Sequence, residues 1–429
     1  MPSAVGSSPP VTLAQWLEYL ERSHPQAIAM GLDRVSDVAR AIGISPAFKI
    51  ITVGGTNGKG SCCAMLEAIL LHAGYRVGCY TSPHLLRYNE RVRIGGSEVG
   101  DDDLCRAFAC IEAARGGTTL TYFEFGTLAA MLCFADAGVD VVILEVGLGG
   151  RLDAVNIFDA DCALVASVDL DHQDYLGTTR EAIGFEKAGI FRAARPAICA
   201  DADPPASLVE HAREIGADLM VIDRDFGYVG EPQQWRYWGP SGRRHGLPYP
   251  ALRGAFQLSN AAACLAALDS LRGSLPVTAQ DLRGGLLQAE VAGRFQVLPG
   301  RPLVILDVAH NPHAARALAA NLASMPAGGR TLAVFSMLKD KDIDGVVAAV
   351  KAHIAHWFLA GSGGARGASA AFLAAALARA GVTAPAEEFP DVVAAWHAAC
   401  ESAADNDKII VFGSFLTVAA VMRERQRKT

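Results

Sequence analysis

Residues Ile50–Ser61, I-I-T-V-G-G-T-N-G-K-G-S, run from a β-branched apolar stretch through Gly54, Gly55, Gly58 and Gly60, with Lys59 and Ser61 among the last of them. Glycines let a backbone approach an anion and turn its N–H groups toward it. A helix start adds positive potential, and a lysine reaches the terminal phosphates of a nucleotide. Phosphate binding is the chemistry this order of residues serves. The spacing is a variant of G-x-x-x-x-G-K-[ST], because Val53 stands six positions before Lys59 and Gly60 separates the lysine from the hydroxyl. Three further polar residues fall at the ends of later apolar runs: Ser82, Glu145, and His172 in D-H-Q-D. Open α/β sheets bind ligands at such strand ends, and a carboxylate and a hydroxyl beside a phosphate loop suit a divalent cation. Hard cations prefer oxygen, so His172 reads either as a ligand or as a hydrogen-bonded loop histidine. Glu145 has a second reading as a buried carboxylate paired with Arg151 or another base. Lys187, in E-K-A-G-I, reads by itself as a surface lysine or an ion-pair partner of Glu186.

The elements that would hold these residues follow from periodicity. Apolar, β-branched runs alternate with Ala/Leu-rich helical stretches, the pattern of βαβ units and largely parallel sheets. Strands are expected at Phe48–Val53, Val77–Thr81, Val139–Val146 and Cys162–Val168, and helices at Leu13–Glu21, Lys59–Ala73, Asp102–Ala114, Phe125–Ala137 and Gln257–Leu271. The Gly/Pro/Trp-rich stretch Gly227–Pro250 reads as a surface hairpin or loop. A break at L-P-G-R-P, Leu298–Pro302, sets a domain boundary, giving units 1–298 and 299–429. The second unit reads as a small doubly wound fold, with strands at Leu303–Asp307, Thr331–Ser336, His356–Ala360 and Ile409–Phe412 and helices after the first three and the last. Lys339–Asp342, K-D-K-D, reads as a solvated loop, with a binding role as the second reading. The segment G-L-G-G-R-L, Gly147–Leu152, starts like a dinucleotide fingerprint and has Asp169 22 residues after Gly147. Leu152 takes the third glycine's place, however, and a dehydrogenase would leave the lysine loop unexplained.

Composition bounds the remaining possibilities. The 429 residues are 51% hydrophobic and 19% charged with a net charge of −7, a globular balance that lacks the basic surface nucleic-acid binding requires. The ten cysteines include no C-x-x-C pair and read as reduced, mostly buried thiols of a cytoplasmic protein. The opening MPSAVGSSPP has no basic start followed by an apolar run and reads as a frayed leader. The uncharged run Val411–Met422 has only 12 positions, too few to span a membrane.

The loop G-T-N-G-K-G-S resembles the ATP-binding loop of the Mur ligase superfamily, and the chain as a whole resembles that superfamily's folate branch. The resemblance runs through GLDRV (Gly31–Val35), YTSPHL (Tyr80–Leu85) followed by NERVRI, LTYFEFGTLAA (Leu120–Ala130) and EVGLGGRLDAVN (Glu145–Asn156). It continues through DHQDYLG (Asp171–Gly177), EKAGIF (Glu186–Phe191), QLSNAAACLAAL (Gln257–Leu268), DVAHNPHA (Asp307–Ala314) and FGSFLTV near the end.

The resemblance implies a two-domain Mur-ligase-like α/β fold, with an N-terminal P-loop ATPase domain and a smaller C-terminal Rossmann-like domain. It implies an ATP- and Mg²⁺-dependent amide ligase, with two metal ions, that joins L-glutamate to dihydropteroate and to tetrahydrofolate or its polyglutamates. The enzyme is expected to work as a cytoplasmic monomer without nucleic acid or membrane. ATP is assigned to Gly55, Thr56, Asn57, Gly58, Lys59, Gly60 and Ser61, with Asn260, Arg294 and Asp307. Metal falls to Ser82, Glu145 and His172, and Lys187 is implied to be carbamylated, turning a cation into a carboxylate. Lys59, Glu145, His172 and Lys187 are thus the expected catalytic set. The pterin side falls to Ile28, Ala29 and Met30, to Thr121, Tyr122, Phe123 and Glu124, and to Leu152, Asp153 and Ala154; glutamate falls to Ser414, and the glutamate or interdomain site to His310. Bland readings stand beside several of these: core packing for Tyr122 and Phe123, helix caps for Asn260 and Ser414, and a solvated charge for Arg294. A monofunctional folylpolyglutamate synthase, a peptidoglycan ligase of the same superfamily and a non-catalytic nucleotide-binding protein are the alternatives. Only 54 residues precede Gly55, which argues against the extra N-terminal domain of most peptidoglycan ligases.

Overall fold

The computed structural model describes residues 10–26, 28–254, 256–326, 328–364 and 366–427. Eight strands form the first sheet: β1 (Lys49–Gly54), β2 (Val77–Tyr80), β3 (Val92–Ile94), β4 (Ser97–Glu98), β5 (Val141–Glu145), β6 (Cys162–Val165), β7 (Pro196–Cys199) and β8 (Asp218–Val221). Their order is β4-β3-β2-β5-β1-β6-β7-β8, parallel except at the β3 and β4 edge. Ile50, Val142, Leu144, Ala163 and Val165 face one apolar core, while Ile51, Val53, Val141, Ile143 and Leu164 face another. Both faces of the central strands are therefore covered, as parallel strands require. That is why these strands read as continuous apolar runs rather than alternating ones.

The helix Lys59–His72 lies in the second of these cores, against helices Gln257–Ser270 and Ala279–Gln288. A side chain at Gly285 would stand 2.4 Å from the Ile69 Cα, so only glycine allows that approach. The stretch expected as a hairpin or loop is a three-stranded antiparallel sheet of β9 (Gly227–Gly230), β10 (Trp235–Gly239) and β11 (Gly242–Leu247), closed inside by Trp235 and Tyr237.

The third sheet contains β12 (Gln296–Leu298), β13 (Leu303–Asp307), β14 (Thr331–Phe335), β15 (His356–Ala360), β16 (Ala386–Phe389) and β17 (Lys408–Phe412), in the order β12-β13-β17-β14-β15-β16. It takes up the chain at Gln296 through an antiparallel pairing of β12 with β13, and its other pairings are parallel. Strand β16 and the helix Val392–Ser402 have no counterpart among the sequence expectations. In the strand A-E-E-F the first three residues are exposed, so no apolar run announces it.

Candidate active site

Four neighbouring strands of the first sheet deliver the polar residues to one edge. In the lateral order β2-β5-β1-β6, their C-terminal ends lead to Ser82, Glu145, the Gly55–Gly58 loop and Asp169–His172. Three neighbouring strands of the third sheet, β13-β17-β14, lead to Asp307–Asn311, Ser414 and Lys341. The two sets face one another across a cavity of about 470 Å³ lined by Lys59, Ser82, Glu145, Asp171, His172, Lys187, Arg294, His310, Lys341 and Ser414, among others.

The phosphate loop is held by its own backbone. Gly55 has φ +138° and Gly58 φ +89°, and a side chain at Gly58 would meet Asn260 Oδ1 at 2.7 Å. Thr56 Oγ1 donates to the Asp169 carbonyl at 2.9 Å and accepts from the Asp169 N–H at 3.0 Å, tying the loop to the strand end that bears His172. Lys59 Nζ folds back onto the carbonyls of Gly55 (2.9 Å) and Thr56 (3.2 Å). Burial lowers its pKa, with Glu145 opposing.

Glu145 is 4% exposed, and its Oε2 accepts from the Ser82 N–H at 3.0 Å. Burial raises its pKa, and Lys59 leads the effects that oppose it. The expected alternative of a pair with Arg151 does not hold, because Arg151 bonds Glu186 at 2.7 Å. That bond also takes Glu186 away from Lys187. Lys187 is no surface lysine: it is 3% exposed, and burial pushes its pKa from the ordinary 10.5 down to about 7, with Lys59 adding to the effect.

His172 adopts a left-handed backbone, φ 51°, and burial lowers its pKa to about 4. A neutral imidazole and a buried carboxylate without an ion-pair partner among the described residues are donors that fit a divalent cation. No three His, Cys, Asp or Glu side chains among the described residues gather into a protein-only cage. Mg²⁺ fits such a partial set, since it keeps water and substrate phosphate oxygens among its ligands.

A second cavity, of about 320 Å³, continues from the phosphate loop past Ser61, Gln257, Asn260, Arg294 and Asp307. Asn260 Nδ2 donates to Gln257 Oε1 (3.2 Å), and Gln257 Nε2 donates to Ser61 Oγ (3.2 Å), so the helix start and the loop share one polar chain. Asp307 accepts from the N–H groups of Phe295 (2.9 Å) and Ala309 (2.7 Å); burial raises its pKa to about 6, opposed first by Arg294. Arg294 lines both cavities and lies over the Phe415 ring at 5.4 Å, so it is not a solvated charge.

Several expected pterin-side residues build walls from behind. Thr121 and Glu124 form a capping box at the helix Tyr122–Ala137, and Arg34 Nη2 bridges Glu124 Oε1 and the Ala29 carbonyl, each at 2.9 Å. Phe123 packs on Gly147, where a side chain would stand 2.7 Å from its ring, and Gly147–Gly149 face the cavity. The Met30 side chain also approaches Gly149, at 3.8 Å from where a Cβ would lie. Tyr122 contacts Tyr88 edge-on. Asp153 is enclosed as a cap, accepting from Leu148 N (2.8 Å) and Val155 N (3.0 Å), with its pKa raised to about 7 by burial. Leu152 adjoins it in the turn, Ala154 is buried, and Ile28 lines a separate interdomain groove. Ser414 caps the helix Phe415–Gln426 and also faces the cavity. His310 does so too, with Nδ1 2.9 Å from the Val308 carbonyl.

Within K-D-K-D, Lys339, Asp340 and Asp342 are exposed as a solvated loop requires, but Lys341 departs from that reading: its side chain is 11% exposed and bonds Asp171 Oδ1 at 2.7 Å. Asp171 also accepts from Asn311 Nδ2 at 3.3 Å and lies 3.8 Å from His310 Nε2. Burial raises the Asp171 pKa, but His172 and Lys341 together hold it well below the usual carboxylate range. Lys341 is the partner that matters at neutral pH, since His172 is itself uncharged there. The sequence signal for this hub was the first residue of D-H-Q-D, overlooked beside its histidine.

Residues 53–268 match the Mur ligase middle domain family and residues 293–415 the Mur ligase, glutamate ligase domain family. The chain is 47% identical to the dihydrofolate synthase/folylpolyglutamate synthase of Escherichia coli K12, over 96% of this chain and 94% of that one. The chain belongs to this folate branch of the Mur ligases. The Haemophilus influenzae dihydrofolate synthase/folylpolyglutamate synthase is 42% identical over 95% of this chain and 96% of its own. E. coli FolC in complex with DHPP and ADP superposes with a TM-score of 0.93 at 46% identity, covering 97% of this chain and 98% of that one. A bifunctional folylpolyglutamate synthase/dihydrofolate synthase with Mn, AMPPNP and L-glutamate bound gives 0.90 at 48% identity over the same shares. Among the described residues no helix is long and apolar enough to cross a membrane.

Proposed function

We propose that this branch member is an ATP-dependent ligase that adds L-glutamate to dihydropteroate and to the γ-carboxylate of tetrahydrofolate or its polyglutamates. The observation that carries this reading is the convergence of Lys59, Glu145, His172 and Lys187 with Arg294, His310 and Ser414 on one cavity between two sheets. A carboxylate is a poor acyl donor at neutral pH, so its oxygen first takes the γ-phosphoryl group of ATP. The glutamate amine then attacks the acyl phosphate, and the tetrahedral intermediate expels phosphate and leaves the amide.

In this reading the Gly55–Ser61 loop and Lys59 hold the phosphates, Asn260 and Asp307 the adenosine, and Arg294 the transferring group. Ser82, Glu145 and His172 would hold magnesium, which when bound neutralises charge on the phosphates. Lys187, with its lowered pKa, presents the neutral amine that combines with CO₂, and the resulting carbamate is an anion suited to a second cation. His310 and Ser414 hold glutamate, and the pterin lies toward Gly147–Gly149, Phe123 and Met30. Water would destroy the acyl phosphate, and the interdomain position of the cavity serves to exclude it. The boundary expected after residue 298 moves a few residues earlier, since β12 already belongs to the third sheet: we place the ligase unit from Gln296 onward, the ATPase unit before it, and the enzyme in the cytoplasm as a monomer.

The test is phosphate release from ATP, Mg²⁺, bicarbonate and glutamate with dihydropteroate, with tetrahydrofolate or with neither, reading product masses in parallel. A one-glutamate gain on both substrates is the expected result. A gain with tetrahydrofolate alone reduces the enzyme to a polyglutamate synthase, and silence with both overturns the reading.

A further inference from the structure

The motif Y-T-S-P-H-L ends beside the reaction centre with a histidine that the mechanism above leaves unused. His84 lines the catalytic cavity together with Ser82, Glu145, His310 and Ser414. Its Nδ1 accepts a hydrogen bond from Arg91 Nε at 2.9 Å. Arg91 is held in turn over the rings of Tyr88 (5.5 Å) and Tyr122 (5.4 Å), while Tyr88 meets the His84 ring edge-on at 5.9 Å. A guanidinium has donors and no acceptor, so the His84 nitrogen facing it must offer a lone pair. The proton of the imidazole is therefore on Nε2, and among the described residues Nε2 has no hydrogen-bond partner.

We propose that the His84 Nε2–H donates a hydrogen bond to a substrate carboxylate oxygen, and that Arg91 is the positioning residue that fixes this tautomer. The proposal rests on the ligase reading, in which two kinds of carboxylate enter the cavity: that of glutamate and that of the folate to be phosphorylated. Lys59, Lys341 and Arg294 already supply positive charge there. A neutral donor orients a carboxylate without adding another cation beside the groups that would hold metal. It also leaves the oxygen more nucleophilic than a tight ion pair would, so the contact does not over-stabilise the ground state.

The side-chain amide nitrogen of glutamine reaches roughly where Nε2 lies, whereas that of asparagine reaches only the Nδ1 position. Steady-state kinetics of His84→Asn and His84→Gln, varying glutamate and dihydropteroate separately, therefore isolate the Nε2 contact. His84→Asn is expected to raise the KM of one carboxylate substrate about tenfold, the worth of one hydrogen bond, with kcat little changed and most of the loss recovered in His84→Gln. The substrate whose KM rises identifies the carboxylate. ¹⁵N-histidine NMR, with the His84 signals assigned by their loss in His84→Gln, should show the Nε2-protonated tautomer, and Arg91→Met should release it to a mixture. Unchanged KM values in His84→Asn, equal loss in both variants with a lowered thermal midpoint, or a proton found on Nδ1 would each overturn the proposal. A wild-type enzyme silent with every folate overturns the ligase reading instead, and the tautomer is still read from the spectrum.

Discussion

Burial acts on Lys59, Glu145 and Lys187 in the same way, by making each group's charge expensive, yet their surroundings give them different work. Lys59 keeps Glu145 as an opposite charge, and Glu145 keeps Lys59. Lys187 has a cation, Lys59, as the second influence after burial, so its pKa stands near 7. Because that value lies below the ordinary 10.5, the unfolded chain binds more protons than the folded one between about 7 and 10.5, and stability rises with pH across that window. In bicarbonate-free buffer, thermal unfolding of the wild type should show this rise and that of Lys187→Met should be flatter. Lys187→Arg should abolish most activity, since guanidinium forms no comparable carbamate and stays cationic; a fully active arginine variant would remove the modified lysine from the mechanism. Lys59→Ala should lower kcat by about 10²–10³-fold, the scale of losing one group that stabilises developing charge, with an unchanged circular dichroism spectrum.

At the level of elements, strand ends and helix starts place the site, and they differ in how legible they are. Buried parallel strands such as Leu303–Asp307 and His356–Ala360 coincide with their apolar runs, and the P-loop helix differs by one residue at its end. Ala386–Phe389 is an edge strand whose polar residues face outward, so hydrophobic periodicity is silent there. The helix Tyr122–Ala137 begins three residues before its expected start because Thr121 and Glu124 cap it reciprocally. The residues of T-Y-F-E thus serve the fold whatever their part in substrate binding, and sequence spacing alone could not separate the two roles. Thr121→Ala leaves the Glu124 N–H without its acceptor and should lower unfolding free energy by about 1 kcal/mol in urea denaturation. Arg34 was legible only as part of G-L-D-R-V, and its bridge between Ala29 and Glu124 needs two segments that lie far apart in sequence.

At the scale of the whole molecule, the contacts that join the first and third sheets sit on the loops that line the cavity. Asn57 of the phosphate loop bonds His313 Nδ1 at 2.7 Å through its amide, Arg316 reaches Asp169 at 3.2 Å, and Lys341 closes on Asp171 at 2.7 Å. Three residues of K-D-K-D are exposed, and Lys341 is not legible among them because a sequence shows the charges of a loop but not the opposing surface that takes one of them in. The Lys341 pair is enclosed on both sides, so removing one partner strands a buried charge, at a cost of about 3–5 kcal/mol. The depressed pKa of Asp171 sets the sign of the pH effect: its contribution is present above the usual carboxylate range and persists in acid until pH falls through the lowered value. Lys341→Met should therefore lower kcat and raise the radius of gyration measured by solution X-ray scattering. Asp171→Asn combined with Lys341→Met should restore part of the compactness, because neither side then holds a stranded charge. If Lys341→Met leaves scattering unchanged while kcat falls, Lys341 acts on substrate and the remaining contacts suffice to hold the domains together.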